Sequence, residues 1–255
     1  MIPSMKKISL LFVLFLLNAC ATQNPLVDFR FQTQVAPPYI LASWYHISKT
    51  GEPIRIYIEG DGNSFNAMGQ PTNNPTPQST FLRDIAANDK NYNVAYLARP
   101  CQYMQAGACS VTDWTNGRFS SQIIKSMNNA VLSLMKKAQT DEAILIGYSG
   151  GAQVAGLISV QNKYVKKVIT IAGVLDVDAW TDFHGDDKLD KSLNLKNYKA
   201  VFVKIPQIHY VGEKDNVVPP NLTLDFVEDK STVVIVPKAT HNKGYSKITD
   251  ALYKQ

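Results

Sequence analysis

Ala143-Ile144-Leu145-Ile146-Gly147-Tyr148-Ser149-Gly150-Gly151 passes from four apolar residues, through a serine set among glycines, into a helix-forming stretch ending near Val160. A short, continuous apolar run bounded by glycine reads as a central parallel strand covered on both faces. Val154, Leu157 and Ile158 recur at helical spacing, so the segment that follows turns one side to a core. A serine at such a strand-to-helix junction must occupy a tight, strained turn. Its flanking glycines are needed because side chains there would collide with the neighbouring strand and helix. The turn lifts the Ser149 hydroxyl out of the sheet and aims the amide of Gly150 at whatever lies above.

Outward from this point the strand theme repeats. Phe31 to Ala36 and Ile40 to Ile47 form a hairpin-like start around Pro37-Pro38, and Ile54 to Ile58 alternates and stops before Gly60. Val94 to Ala98, Val168 to Ala172, Gln207 to Val211 and Val233 to Val236 complete the set. Helices are predicted from Ser79 to Asn88 with Ser79 as cap, from Ser120 to Gln139, from Gly150 to Val160 and from Tyr245 to Tyr253. In the second of these, Ile123, Ile124, Met127, Val131, Leu134 and Met135 make one apolar stripe. Strands alternating with helices after a hairpin predict an α/β fold with a mostly parallel sheet of about eight strands flanked by helices. Ligand crevices in such sheets open beyond the carboxyl ends of the strands, so functional residues should fall just after a strand.

The Gly-Tyr-Ser-Gly-Gly turn in this context resembles the nucleophile turn of the α/β-hydrolase superfamily, which implies the α/β-hydrolase fold and the chain order serine, acid, histidine. A serine hydroxyl is a poor nucleophile near neutral pH, so it needs a base held by an acid. His184, His209 and His241 follow Ser149. His241 comes after the last strand across a short connection, as a loop base should; His209 lies inside a predicted strand, and His184 in the long loop after the sixth. Asp215 follows Tyr210-Val211-Gly212 and stands between Ser149 and His241 in the required order, with Glu213 and Asp176 as rivals. The second oxyanion donor belongs in the loop after the third strand, where Glu59-Gly60-Asp61-Gly62 stands; by correspondence the amide of Asp61 joins that of Gly150. A carboxylate so close to a developing oxyanion would repel it, so the Asp61 side chain must point away or be paired.

Longer motifs narrow the resemblance. Tyr57-Ile58-Glu59-Gly60-Asp61-Gly62, Tyr96-Leu97-Ala98-Arg99-Pro100-Cys101-Gln102-Tyr103, Gly117-Arg118-Phe119-Ser120 and Ile205-Pro206-Gln207-Ile208-His209 are similar to a group of bacterial α/β-hydrolase lipoproteins, over nearly the whole mature chain. One departure is Val174, where that group's pattern has Asn before Leu175-Asp176. The resemblance implies a hydrolase and leaves its substrate open.

The start of the chain carries an address. Lys6-Lys7 precede an apolar run from Ile8 to Leu17, about ten residues and too short to span a bilayer as a stable helix. Leu17-Asn18-Ala19-Cys20 resembles a lipobox, which implies a signal peptide of residues 1–19, a lipidated Cys20 with a tether to residue 30, and a hydrolase domain over 31–255. Ala21 after the cysteine implies outer-membrane placement if the source has two membranes. In that oxidising envelope Cys101 and Cys109 form an even pair, expected as a disulfide with two free thiols as the alternative.

The formal charge of +5 is too small to argue for nucleic acid. No metal or other cofactor is expected, and the chain is expected to act as a monomer on a small acyl substrate. The loops 60–78, 99–119 and 173–199 should wall the pocket; their Phe65, Met68, Tyr103, Trp114 and Trp180 suggest apolar contacts, with packing of the loops themselves as the alternative. The third loop is too short for a large cap. A non-catalytic envelope scaffold with the same fold, or an amidase with the same residues, is the competing class; a scaffold needs no triad.

Overall fold

The computed structural model describes residues 29–255, so the expected signal peptide, the expected lipidation at Cys20 and all but the end of the expected tether lie outside the described residues. Strands β1 (Arg30–Ala36) and β2 (Tyr39–Ile47) pair antiparallel. There follow β3 (Ile54–Ile58), α1 (Phe81–Asn88), β4 (Asn93–Leu97), α2 (Ser121–Ala138), β5 (Ala143–Tyr148), α3 (Gly150–Ser159) and β6 (Val165–Ile171). The chain continues through α4 (Val177–His184), α5 (Lys199–Phe202), β7 (Gln207–Gly212), α6 (Pro220–Phe226), β8 (Val233–Val236) and α7 (Thr249–Tyr253). The eight strands form one sheet in the order β1-β2-β4-β3-β5-β6-β7-β8. From β4 to β8 every pairing is parallel, while β2 meets β4 antiparallel.

The side-chain period of two divides the core. Ile54, Ile56, Ile58 and Leu145 turn to α2 and α3, where Ile123, Ile124, Met127, Val131, Leu134, Val154 and Ile158 are buried. Each such side chain contributes about 1.5–3 kcal/mol by leaving water. Tyr57, Tyr96, Ile146, Ile169 and Ile171 turn to the other face, against Leu82 and Ile85 of α1 and Leu252 of α7. The alternation in β3 therefore does not mark a solvent face. Arg55 is buried, with Nε 2.7 Å from Asp89 Oδ2, and the Tyr57 hydroxyl donates to the same oxygen at 2.7 Å.

Several predicted boundaries move. Helix α1 starts at Phe81, two residues later than expected; Thr80 takes the cap position, and Ser79 Oγ accepts from the Phe81 amide instead. Ser120 does cap α2, accepting from the Ile123 amide. The segment read as a loop over 173–199 contains α4 and a 3-10 turn at Leu195–Tyr198, and α5 follows directly. The final helix is split, with a 3-10 turn at Tyr245–Ile248 before α7.

The chain leaves β3 toward β4 on one side and returns to β5 on the other. That reversal separates the loops leaving the carboxyl ends of β3 and β5, which is where a crevice forms in an open α/β sheet.

Candidate active site

Ser149 stands at the exit of β5 with φ 51° and ψ −124°. A non-glycine residue held there stores about 1–3 kcal/mol of strain, which the surroundings must hold in place. Its amide donates to Ile171 O at 3.0 Å, and its carbonyl accepts from the Ala152 and Val174 amides, each at 3.0 Å. Val174 thus serves the turn through its backbone N–H, which any residue but proline supplies. A Cβ on Gly151 would lie 2.2 Å from Ile58 O, and one on Gly147 would lie 2.5 Å from Ala152 Cα. Both glycines let the turn sit against β3 and the first turn of α3.

Asp215 and His241 come from the loops after β7 and β8. The two loops are tied together, since the Lys214 amide donates to Ala239 O at 2.8 Å. Asp215 is buried, and its Oδ1 accepts from the Val217 and Val218 amides at 2.8 and 2.9 Å. Oδ2 is thereby aimed at His241 Nδ1, 2.9 Å away, while His241 Nε2 lies 3.0 Å from Ser149 Oγ. A carboxylate can only accept from the neutral ring, so Nδ1 carries the proton and Nε2 is left to accept from the serine hydroxyl. Tyr148 packs on the imidazole at 5.2 Å.

The rival groups are engaged elsewhere. Glu213 accepts from the Lys238 amide, and Asp176 caps α4 by accepting from the Asp178 and Ala179 amides. His209 is buried between Thr170 Oγ1 and Gln207 Oε1, and burial pushes its pKa down to about 4. His184 is exposed, with Nε2 2.8 Å from Val217 O.

The loop after β3 approaches the serine closely: a Cβ on Gly60 would lie 3.1 Å from Ser149 Cβ. Neither the Asp61 amide nor the Gly150 amide donates to a partner among the described residues. The Asp61 carboxylate is paired twice, to Arg99 Nη1 at 3.2 Å and Arg118 Nε at 3.0 Å. Of the two expected ways to limit its charge, pointing away or pairing, the side chain takes pairing, with arginines that no local pattern marks. Sequence reading passed over Glu59, which is buried and accepts from the Tyr96 hydroxyl at 2.7 Å and the Gly60 amide at 2.8 Å. Burial, only partly offset by those hydrogen bonds, pushes Glu59 up to about 7. The signal for it was an acid placed directly after a strand and beside a glycine.

A cleft of about 860 Å³ opens over these residues, within the range of small-molecule sites. All three predicted loops line it, joined by Phe81 and Leu82 of α1. Of the aromatic contacts expected, Phe65 and Trp180 face the cleft. Met68 is exposed outside it, Tyr103 packs against Trp44, and buried Trp114 donates through Nε1 to Thr72 O at 3.1 Å. Cys101 and Cys109 are joined as a disulfide in the wall-forming segment, with Cα atoms 5.7 Å apart. Among the described residues no group of three or more His, Cys, Asp or Glu side chains gathers as a metal site. No helix among them is long and apolar enough to cross a membrane.

An eight-stranded, mostly parallel sheet with this order, helices on both faces and a serine on the β5–α3 turn is the α/β-hydrolase fold. The family described as serine hydrolase (FSH1) matches residues 82–243, more than half of the chain, and the chain belongs to that family. No curated protein matches the sequence. Solved structures similar in fold include the Pyrococcus furiosus esterase Pf2001, with 15% identity, 90% of this chain and 88% of that one covered, and a TM-score of 0.63. Est1E from Butyrivibrio proteoclasticus, with ferulic acid bound, aligns at 12% identity over 88% and 96% of the two chains, TM-score 0.65. A Xanthomonas campestris α/β serine hydrolase without a lid aligns at 14% identity over 88% and 90%, TM-score 0.55.

Proposed function

We propose that this serine hydrolase cleaves an ester or related acyl bond of a small molecule through an acyl-enzyme on Ser149. The observation that carries the reading is the unbroken hydrogen-bond line from Ser149 Oγ through His241, both residues lining the cleft, to Asp215 buried behind them. Ser149 Oγ attacks the acyl carbon while its proton passes to His241 Nε2. Asp215 holds the ring and stabilises the imidazolium. The amides of Gly150 and Asp61 receive the oxyanion, and the paired state of the Asp61 carboxylate limits its repulsion of that charge. Collapse of the tetrahedral species expels the alcohol, which takes the proton from His241. Water then attacks the acyl-enzyme by the same route in reverse, freeing the acid and restoring Ser149.

No cofactor enters this scheme. Esterases among the similar folds support an ester, although the same groups suit an amide. The reading includes anchoring: a signal peptide of residues 1–19 is removed, Cys20 is lipidated, and the hydrolase domain works as a monomer held in the cell envelope, on the outer membrane where the source has two membranes. Several acyl chains on one residue suffice for stable attachment.

The test is a panel of p-nitrophenyl esters of increasing acyl length beside matching anilides, with wild type and Ser149→Ala. Turnover of esters that disappears in the variant supports the reading. Faster turnover of anilides replaces it with an amidase, and an inert wild-type panel favours the scaffold.

A further inference from the structure

The peptide joining Gly60 to Asp61 has to present its N–H to the cleft, and its orientation is set from the opposite side. The Gly60 carbonyl accepts from Gln102 Nε2 at 2.9 Å. In a trans peptide the C=O and N–H point in opposite directions, and the one cis bond among the described residues is Pro37-Pro38. Holding the Gly60 carbonyl toward Gln102 therefore turns the Asp61 N–H away from it, and that N–H has no other partner among the described residues.

Gln102 has little freedom to do otherwise. It is 1% exposed, and its Oε1 accepts from the Arg99 amide at 3.0 Å. That contact fixes which end of the side-chain amide faces Gly60, because only nitrogen can donate to a carbonyl. Its own backbone closes a turn onto Arg99, with the Gln102 amide donating to Arg99 O at 3.2 Å. Pro100 in the second position and Cys101 at φ 70° in the third follow the type II pattern. Cys101 is tied to Cys109, and the Arg99 side chain of the same turn holds the Asp61 carboxylate. The second glycine of the loop, Gly62, has φ 68° and is packed mainly against the backbone of Pro75. A Cβ on Gly62 would lie 2.7 Å from Gln102 Nε2 and 2.1 Å from Pro75 O.

We propose that Gln102 is a positioning residue for the reaction, acting through the Gly60–Asp61 peptide to aim the Asp61 amide at the oxyanion. The inference rests on the ester-hydrolase reading above. A group that only satisfies a buried carbonyl would affect stability; one that aims a transition-state donor affects kcat. Misplacing one donor should lower kcat about 10- to 100-fold.

The experiment compares wild type, Gln102→Met and Gln102→Glu on one p-nitrophenyl ester, with binding of a trifluoromethyl ketone whose adduct on serine carries an oxyanion. Methionine keeps the length without the donor, and glutamate keeps the acceptor for Arg99 should the methionine variant fail to fold. Expected is a kcat loss of that size with KM within about twofold, and ketone affinity weakened in step with kcat/KM. Folded variants with wild-type kcat, or a loss confined to KM with ketone binding unchanged, overturn the inference alone. A wild type inert to ester and ketone overturns it together with the hydrolase reading.

Discussion

Replacing Glu59 by glutamine is expected to stabilise the protein above neutral pH and to flatten its stability between pH 5 and pH 8. The carboxyl is buried under the β3 loop, and burial raises it from an ordinary 4.5 to about 7. Between those values the folded chain keeps a proton that the unfolded chain has released. Stability from this group is therefore fully present below about 4.5 and is lost as pH rises to about 7. The whole interval amounts to about 3 kcal/mol, of which about 2.5 kcal/mol falls between pH 5 and pH 8. Glutamine does not titrate. Its oxygen can accept from the Gly60 amide, and its NH₂ can donate to the Tyr96 oxygen, whose own proton turns to the Tyr103 oxygen 3.3 Å away. Urea denaturation of both proteins at four pH values isolates this group, because other titrations cancel in the difference. The gap in unfolding free energy should widen in favour of Glu59→Gln by about 2.5 kcal/mol from pH 5 to pH 8. Parallel curves, or a gap that widens toward acid, would mean that the Glu59 carboxyl is not raised in the folded protein.

Two further outcomes follow from the same geometry. Asp215→Asn should lower kcat about 10⁴-fold in steady-state ester assays with the circular dichroism spectrum unchanged, because asparagine no longer favours the tautomer that leaves Nε2 free. Reducing the Cys101–Cys109 bridge, which spans a sequence separation of 8, should cost about 2.5 kcal/mol in denaturant unfolding; at a temperature where the reduced protein is still folded, kcat should also fall as the turn bearing Gln102 loosens.

The sheet was legible in the sequence wherever burial on both faces left an uninterrupted apolar run, as in β5, or where glycine ended an alternating one, as in β3. The positions of Ser149, Asp215 and His241 could be nominated because each follows a strand and because their order along the chain is constrained. What could not be read depends on partners distant in sequence. Arg55 looks solvent-facing until Asp89, Tyr57 and the Leu252 carbonyl close over it. Asp61 invites the question of a partner, but Arg99 and Arg118 reach it from a different loop. Helix α4 went unseen because it buries only Val177 and Thr181, too few residues to show a period. Its cap, Asp176, therefore stood as a free acid after a strand. The loop aromatics show the limit from the other side: chemistry alone leaves Trp114 and Tyr103 open between lining a pocket and packing a loop, and contacts distant in sequence decide for packing.

Intact-mass and peptide mapping after exposure to a fluorophosphonate probe tests the nucleophile assignment most directly. One adduct is expected, on the peptide carrying Ser149, formed rapidly in wild type, absent in Ser149→Ala and slowed by orders of magnitude in His241→Ala. Folded wild-type protein that takes up no probe, or an adduct on another residue that persists in Ser149→Ala, would contradict that assignment.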